Sequence, residues 1–229
     1  MLPKYVIITA GGAGVRMNSP LPKQFMELLG KPVLMHTLGV FLEYDASIRI
    51  VLVLPHKQME YWQELCRKHT FHHPIVLESG GPTRFHSVKN GLKHVPHEAL
   101  VGIHDGVRPL VSLSTIANAF DIAGRFGNAI PVVGVNESVR MVEGPFSKTA
   151  DRSRVKLVQT PQCFLASQIK EAYQVNYHEH FTDDASVLEN AGHRVYLTEG
   201  NQENIKITTQ ADLVVAEALI SKKRQDLHP

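Results

Sequence analysis

The chain has 229 residues, of which 43% are hydrophobic and 20% are charged. This composition is typical of a globular protein with one substantial core, and it excludes disordered and fibrous classes. Because the 24 basic and 22 acidic residues nearly balance, and because no apolar run is long enough to span a bilayer, we expect neither a nucleic-acid partner nor a membrane partner.

Short β-branched runs alternate with helical segments along most of the chain. The spacing predicts strands at residues 5–9, 48–54, 75–77, 100–103, 129–135 and 194–197. It predicts helices at 33–42, 59–66, 113–120, 167–177, 184–191 and 210–222, the third of them with Ser112 and Ser114 as cap candidates. This order predicts an α/β fold, with a doubly wound, mostly parallel, Rossmann-like sheet in a single domain of residues 1–229.

Residues 136–159 interrupt the alternation of strands and helices. Charges, a Gly144-Pro145 pair and short alternating apolar positions replace the helical spacing. We expect an arm that projects from the sheet and needs another surface to cover it. The two cysteines, Cys66 and Cys163, form no CxxC pair, which favours a reducing, cytoplasmic location.

A glycine-rich turn follows the first strand directly, where a doubly wound sheet binds its ligands. It contains Ala10-Gly11-Gly12-Ala13-Gly14-Val15-Arg16-Met17. It lacks the Gly-Lys-Ser/Thr ending of a Walker loop, and Met17 occupies the third glycine position of a dinucleotide fingerprint. Arg16 and Lys23 could instead converge on a nucleoside triphosphate; the alternative is a solvated loop with two surface cations.

These residues resemble the signature of the 2-C-methyl-D-erythritol 4-phosphate cytidylyltransferase family, and the resemblance covers nearly the whole chain. After Pro22-Lys23-Gln24-Phe25, further motifs occur in the order of the family: Gly80-Gly81-Pro82-Thr83-Arg84, His104-Asp105-Gly106-Val107-Arg108-Pro109, Asp151-Arg152, Gln159-Thr160-Pro161-Gln162, Thr182-Asp183-Asp184-Ala185-Ser186 and Asn204-Ile205-Lys206-Ile207-Thr208.

The resemblance implies a reaction and a role for particular residues. CTP and 2-C-methyl-D-erythritol 4-phosphate would give the cytidine diphosphate derivative and pyrophosphate. Arg16, Lys23, Arg152 and Lys206 would be catalytic, and Asp105 would bind Mg²⁺ or another divalent cation. The nucleotide would contact Ala10, Gly11, Gly12, Ala13, Gly14, Gly80, Gly81, Arg84, Ser87, Asp105 and Gly106. The acceptor would contact Asp105, Arg108, Arg152, Thr182 and Lys206.

The resemblance also implies a homodimer, in which the arm packs on a second copy and Arg152 reaches the phosphate in the partner's site. The loop at Gly80-Gly81 would meet the cytosine through backbone groups and the Ser87 hydroxyl. Arginine suits a phosphate because its fork of N–H groups binds two oxygens at once.

Several alternatives stay open at this point. Gly106-Val107 stands where many family members have two alanines, so a ribitol-5-phosphate cytidylyltransferase is one alternative. A non-catalytic nucleotide-binding regulator is another, and Met17 disfavours an NAD-dependent dehydrogenase. Structurally, Asp105 could cap a turn and Thr182 could cap a helix. We expect His72-His73 and His178-x-His180 to be surface residues, because neither pair has a third clustered ligand.

Overall fold

The structure, a computed structural model, describes residues 2–11 and 21–227. Its strands are β1 (Lys4–Thr9), β2 (Glu27–Leu28), β3 (Lys31–Pro32), β4 (Arg49–Leu54), β5 (Ile75–Ser79), β6 (Leu100–Asp105), β7 (Asn128–Gly134), β8 (Arg140–Glu143), β9 (Phe146–Thr149), β10 (Lys156–Val158), β11 (Gln162–Leu165) and β12 (Leu197–Glu199). Its α-helices are α1 (Val33–Tyr44), α2 (Met59–Lys68), α3 (Arg84–Gly91), α4 (Leu113–Phe126), α5 (Ala166–Ala172), α6 (Asp184–Asn190) and α7 (Gln210–Leu227).

The central sheet has the strand order β10-β7-β11-β6-β1-β4-β5, and β12 also pairs with β7. Strands β6, β1, β4 and β5 are parallel to one another, as β12 is to β7. The short strand β11 is antiparallel to both β6 and β7, and β10 is antiparallel to β7. The predicted α/β class with a mostly parallel sheet is therefore confirmed.

Both faces of the sheet are buried, as the unbroken apolar strands predict. Val6 and Ile8 of β1 point into one core with α1, α2 and α4. Tyr5 and Ile7 point into a second core with α3, α5 and α6. Successive side chains of a strand face opposite sides, so the helices must lie on both faces, which is the doubly wound arrangement.

The starts of α4 and α6 follow local capping chemistry, with one difference from the sequence prediction. The Ser112 side chain accepts a hydrogen bond from the Thr115 amide and begins α4. At α6 the capping residue is Asp183, whose carboxylate accepts from the Ser186 amide, while the Ser186 hydroxyl accepts from the Asp183 amide. Thr182 as a helix cap was therefore wrong, because the residue after it completes the reciprocal capping box.

Two parts of the sheet differ from the sequence prediction. Strand β11, Gln162–Leu165, was not predicted; it has only one β-branched or aromatic residue, Phe164, and so lacks the β-branched run that marked the other strands. Strand β12 begins at Leu197 instead of residue 194. The side chain of Asn128 donates through Nδ2 to the Arg194 carbonyl and accepts through Oδ1 from the Tyr196 backbone amide. These side-chain hydrogen bonds take the place of strand pairing just before β12.

The predicted arm is a two-stranded hairpin of β8 and β9, joined at Gly144, which has a φ of +60°. All residues of both strands are exposed, including Val142 and Phe146, which are 76% and 77% exposed. The boundary at residue 159 was wrong, because Lys156–Val158 already pairs with β7 in the main sheet.

Candidate active site

A cavity of about 210 Å³ opens at the carboxyl ends of β1 and β6, beside the loop that follows β5. Its lining includes backbone of the glycine turn and side chains from four separate parts of the chain: Ala10, Gly11, Lys23, Gly81, Arg84, Ser87, Asp105 and Lys206. Parallel strands present their carboxyl ends at one edge of a sheet, and open α/β sheets bind ligands there. The fold thus brings together residues that lie almost 200 positions apart.

Asp105 is the last residue of β6 and is contacted by three cations. Its Oδ2 lies 3.0 Å from Arg108 Nε and 3.1 Å from Lys206 Nζ, and its Oδ1 lies 3.6 Å from Arg84 Nε. Burial by itself raises the pKa of Asp105, but the positive charges of Arg84, Lys206 and Arg108 outweigh burial and hold that pKa well below its usual range. The carboxylate is therefore charged at neutral pH.

Arg84 is held in the cavity by a second carboxylate. Its two terminal nitrogens donate to Asp184 at 2.9 and 2.7 Å, and Tyr173 Oη donates to the same carboxylate at 2.6 Å. Asp184 is fully buried. This bidentate pair joins the first residue of α3 to the first residue of α6, and it fixes the guanidinium that faces Asp105.

The loop before α3 is held by the Ser87 hydroxyl. Ser87 Oγ accepts from the Gly81 amide at 3.1 Å and donates to the Thr83 carbonyl at 3.0 Å. A Cβ at position 81 would lie 2.4 Å from His86 Cβ, so glycine is required sterically. Gly80, Gly81 and Ser87 also border a neighbouring groove with Gly11. Ser87 thus shapes the loop as well as facing the cavity.

Gly106 is a predicted nucleotide contact that lines neither this cavity nor the neighbouring groove. Its amide donates to the Thr9 carbonyl at 2.9 Å. A Cβ on Gly106 would lie 2.8 Å from Ala10 Cβ and 3.2 Å from the Thr9 oxygen. In this structure Gly106 allows the chain leaving β6 to pass close to the end of β1.

A second cavity, of about 270 Å³, lies on the other side of Asp105. Arg84, Asp105 and Lys206 line both cavities, while Arg108 and Thr182 line the second. The Arg108 guanidinium also donates to the Asn204 carbonyl at 2.8 Å, and its side chain is only 12% exposed. Arg108 is thus largely engaged in holding the segment of Lys206 beside the β6 end.

Three described residues of the predicted site, Gly80, Gly106 and Arg152, line neither cavity, and Gly80 borders only the neighbouring groove. Gly12, Ala13, Gly14 and Arg16 lie outside the described residues. Arg152 is described, but it is exposed on a short 3₁₀ turn after the hairpin, where it donates to the Asn136 carbonyl. It lines neither cavity of its own chain.

His104 is a buried residue next to Asp105 for which we predicted no role from the sequence. Complete burial lowers the pKa of His104 to about 4, against about 6.5 for an unfolded histidine. Between these two values the unfolded chain binds the extra proton, so stability rises with pH. The contribution of His104 is fully present above about pH 6.5 and is lost as pH falls towards about 4.

We therefore expect the free energy of unfolding to fall between pH 6.5 and pH 4 by up to about 3 kcal/mol from His104 alone, at about 1.4 kcal/mol per pKa unit. Urea unfolding at a series of pH values gives the free energy of unfolding of the wild type and of His104→Gln as a function of pH. The difference between the slopes of these two curves measures the contribution of His104. Equal slopes would contradict the expectation.

Asp184, Tyr173, Thr160 and Gln24 were likewise given no individual role by the sequence, although three of them lie within the quoted motifs. No local signal identifies Asp184, because the acidic pair after Thr182 has the same pattern as the capped start of a helix. His72, His73, His178 and His180 are exposed, as expected.

No group of three or more His, Cys, Asp or Glu residues that could hold a metal ion occurs in residues 2–11 and 21–227. None of the helices in that part of the chain has the length and apolar character that crossing a membrane requires.

Comparison with known proteins gives consistent relatives over almost the full length. A model of the family described as 2-C-methyl-D-erythritol 4-phosphate cytidylyltransferase (IspD) matches residues 4–222. A protein of that name from Bacteroides thetaiotaomicron is 52% identical over 215 residues, covering 94% of this chain and 98% of the relative.

Two solved structures have the same fold. A 4-diphosphocytidyl-2C-methyl-D-erythritol synthase from Anaerococcus prevotii superposes with a TM-score of 0.82 at 27% identity, covering 96% of this chain and 99% of the other. A 2-C-methyl-D-erythritol 4-phosphate cytidylyltransferase from Francisella tularensis gives 0.78 at 32% identity, covering 94% and 99%.

Proposed function

Because the chain belongs to the 2-C-methyl-D-erythritol 4-phosphate cytidylyltransferase family, we propose how its own residues perform the reaction of that family. The protein is a nucleotidyltransferase of isoprenoid synthesis that transfers the cytidylyl group of CTP to 2-C-methyl-D-erythritol 4-phosphate and releases pyrophosphate. The observation that carries the assignment of roles is the cluster of Arg84 and Lys206 around Asp105, shared by two adjoining cavities.

The nucleotide occupies the first cavity and the acceptor occupies the second, so the α-phosphate of CTP lies where the two meet. Support comes from the groups that line each cavity. The first cavity has the backbone of the glycine turn and Lys23, and the second has the side chains of Thr182 and Arg108. Lys206 borders both cavities. Its side chain is 42% exposed, and its ammonium group beside Asp105 can contact either phosphate.

The transfer needs no strong base on the protein. A phosphate monoester has a second pKa of about 6, so the acceptor oxygen is already anionic at neutral pH. That oxygen attacks the α-phosphorus as the bond to the bridging oxygen of pyrophosphate breaks on the opposite side. Lys23, with Arg16 beyond the described residues, would stabilise the charge that develops. Positioning and charge stabilisation account for the catalysis.

Asp105 would supply one carboxylate oxygen to Mg²⁺. The described residues contain no group of three or more His, Cys, Asp or Glu side chains that could hold a metal ion. Mg²⁺ commonly takes one or two carboxylates together with substrate phosphates, so the described residues fit this ion only with the nucleotide present. The freer oxygen is Oδ1, since Oδ2 is engaged by Arg108 and Lys206. Bound there, the ion would neutralise phosphate charge during transfer.

A homodimer would bring Arg152 to the acceptor phosphate of the partner subunit. The support is that Arg152 lines neither cavity of its own chain and lies on the turn that follows a hairpin whose apolar residues are exposed. An exposed apolar hairpin is stabilised when a second copy covers it.

We propose the cytoplasm as the location of the protein, since Cys66 and Cys163 are both free thiols.

Mixing two inactive variants tests the shared site. In a dimer of one Lys23→Ala chain and one Arg152→Ala chain, one site has both wild-type residues if Arg152 acts across the interface. Co-expression is then expected to restore activity to about a quarter of the wild type, because half of the dimers are mixed and each has one intact site. Activity that stays at the level of the two homodimers would show that Arg152 acts within its own chain.

Pyrophosphate release tests the function itself. The protein is incubated with Mg²⁺, CTP and either 2-C-methyl-D-erythritol 4-phosphate or ribitol 5-phosphate. We expect a clear preference in kcat/KM for the former, whereas equal or reversed preference would favour the ribitol alternative. If no pyrophosphate is released in the presence of either acceptor, the non-catalytic nucleotide-binding regulator is the better interpretation.

A further inference from the structure

A chain of hydrogen bonds passes through the buried ring of His104 and connects both ends of the turn after β6. His104 Nε2 lies 3.1 Å from the Arg108 carbonyl oxygen. His104 Nδ1 lies 2.9 Å from Thr160 Oγ1, which accepts from the Asp105 amide at 3.2 Å. The ring packs edge to face on Phe41, with centroids 4.9 Å apart.

The direction of each hydrogen bond follows from the chemistry of the partners. A carbonyl oxygen can only accept, so Nε2 must carry the proton that is donated to Arg108. In a neutral ring Nδ1 is then an acceptor, and the Thr160 hydroxyl donates to it. The same hydroxyl oxygen accepts from the Asp105 amide. Every polar atom of the ring thus has a partner, and only one tautomer satisfies both contacts.

We propose that His104 and Thr160 are positioning residues for the transfer reaction: by holding the turn from Asp105 to Arg108 at both ends, they fix the carboxylate that orients Arg84 and Lys206 between the two cavities. The proposal rests on the function proposed above. It goes beyond that function, because it assigns both side chains a role that acts through Asp105. His104 lines neither cavity, and Thr160, which borders the second cavity, is joined by hydrogen bonds to the His104 ring and to the Asp105 amide.

The consequence of loosening the turn would be propagated through Asp105. Arg84 and Lys206 approach that carboxylate from separate segments, α3 and the chain after β12. A displacement of about 1 Å in aligned groups can cost about 100-fold in rate. A purely structural role for His104 would change the stability of the fold without a matching loss of rate in the folded enzyme.

Paired substitutions at residue 160 separate the two roles. Thr160→Val removes the hydroxyl and keeps the shape, whereas Thr160→Ser keeps the hydroxyl. We expect kcat of Thr160→Val to fall between about 10-fold and 100-fold, with Thr160→Ser within about threefold of the wild type, both measured well below their unfolding temperatures. If Thr160→Val does not fold, Thr160→Ala replaces it in the comparison. Equal kcat for the two substitutions overturns the proposal.

Histidine substitutions test whether the two residues act through one chain of hydrogen bonds. His104→Gln keeps a donor for the Arg108 carbonyl but offers no acceptor at the Nδ1 position. His104→Gln breaks the same hydrogen bond as Thr160→Val. We therefore expect kcat of the double variant to lie within about twofold of kcat of the slower single variant, because the effects of residues that act as a unit are not additive. Multiplying losses would overturn the proposal.

A spectroscopic measurement keeps this test separate from the function assay. The ¹⁵N resonances of the wild-type His104 ring should show a protonated Nε2 and an unprotonated, hydrogen-bonded Nδ1, with the latter shifted in Thr160→Val and retained in Thr160→Ser. The amide resonances of Asp105 and Arg108 should move with it. If the wild type released no pyrophosphate, the proposed function would fail, while these resonances would still test whether His104 and Thr160 hold the turn. A protonated Nδ1 at neutral pH would overturn the positioning proposal.

Discussion

Lys23→Ala is expected to lower kcat by about 10²–10³-fold while the protein stays folded, if a cation aimed at the transition state here has the value of an oxyanion-hole donor. Lys23 is half-buried and lines the first cavity with Arg84, Asp105 and Lys206. Because phosphoryl transfer depends on positioning and on charge stabilisation, removal of this charge should affect turnover more than CTP binding.

The matched control is Lys31→Ala. Lys31 is exposed on β3, eight residues further along the chain, and lines a different groove with Met35 and His69. Steady-state kinetics of both variants, with circular dichroism to establish folding, give the comparison. Near-normal kcat for Lys23→Ala, or an equal loss for Lys31→Ala, would contradict the assignment of Lys23 to the reaction.

Asp184→Asn is expected to reduce the free energy of unfolding by about 3 kcal/mol, because removal of one partner of a buried ion pair leaves the other uncompensated. Asp184 is fully buried, and it accepts both terminal nitrogens of Arg84 together with the Tyr173 hydroxyl. The Arg84 side chain is 30% exposed and also lies 3.6 Å from the Asp105 carboxylate, so the loss should lie at the lower end of the range for buried pairs. We also expect lower activity, since Arg84 faces the nucleotide cavity.

The control for Asp184 is Asp121→Asn, which breaks an exposed pair with Arg125 on α4. That pair has side chains that are 56% and 68% exposed, and exposed pairs of this kind contribute less than about 1 kcal/mol. Urea unfolding at neutral pH measures both variants. A loss for Asp184→Asn no greater than that for Asp121→Asn would show that the buried pair adds little to stability.

The family resemblance, and not residue spacing, predicted the residues of the cavity. Lys23, Asp105 and Lys206 were expected to share a site, and all three line the first cavity. Their roles in the reaction stay predictions. Spacing could not show that Lys206 contacts Asp105 directly, or that Arg84 is bound to Asp184, because these contacts join segments about 100 residues apart. Nothing in the local sequence of Asp184 distinguishes a buried partner from a helix-capping acid.

The sequence by itself determined the doubly wound sheet and the location of the glycine turn at its edge. Apolar runs buried on both faces, such as Lys4–Thr9, can be satisfied only with helices on each side. Only the tertiary structure decided that β11 enters the sheet antiparallel, that Asp105 is surrounded by three cations, and that His104 connects the two ends of its turn. Those contacts depend on which distant segments meet, and a period of two or 3.6 residues carries information only about neighbours along the chain.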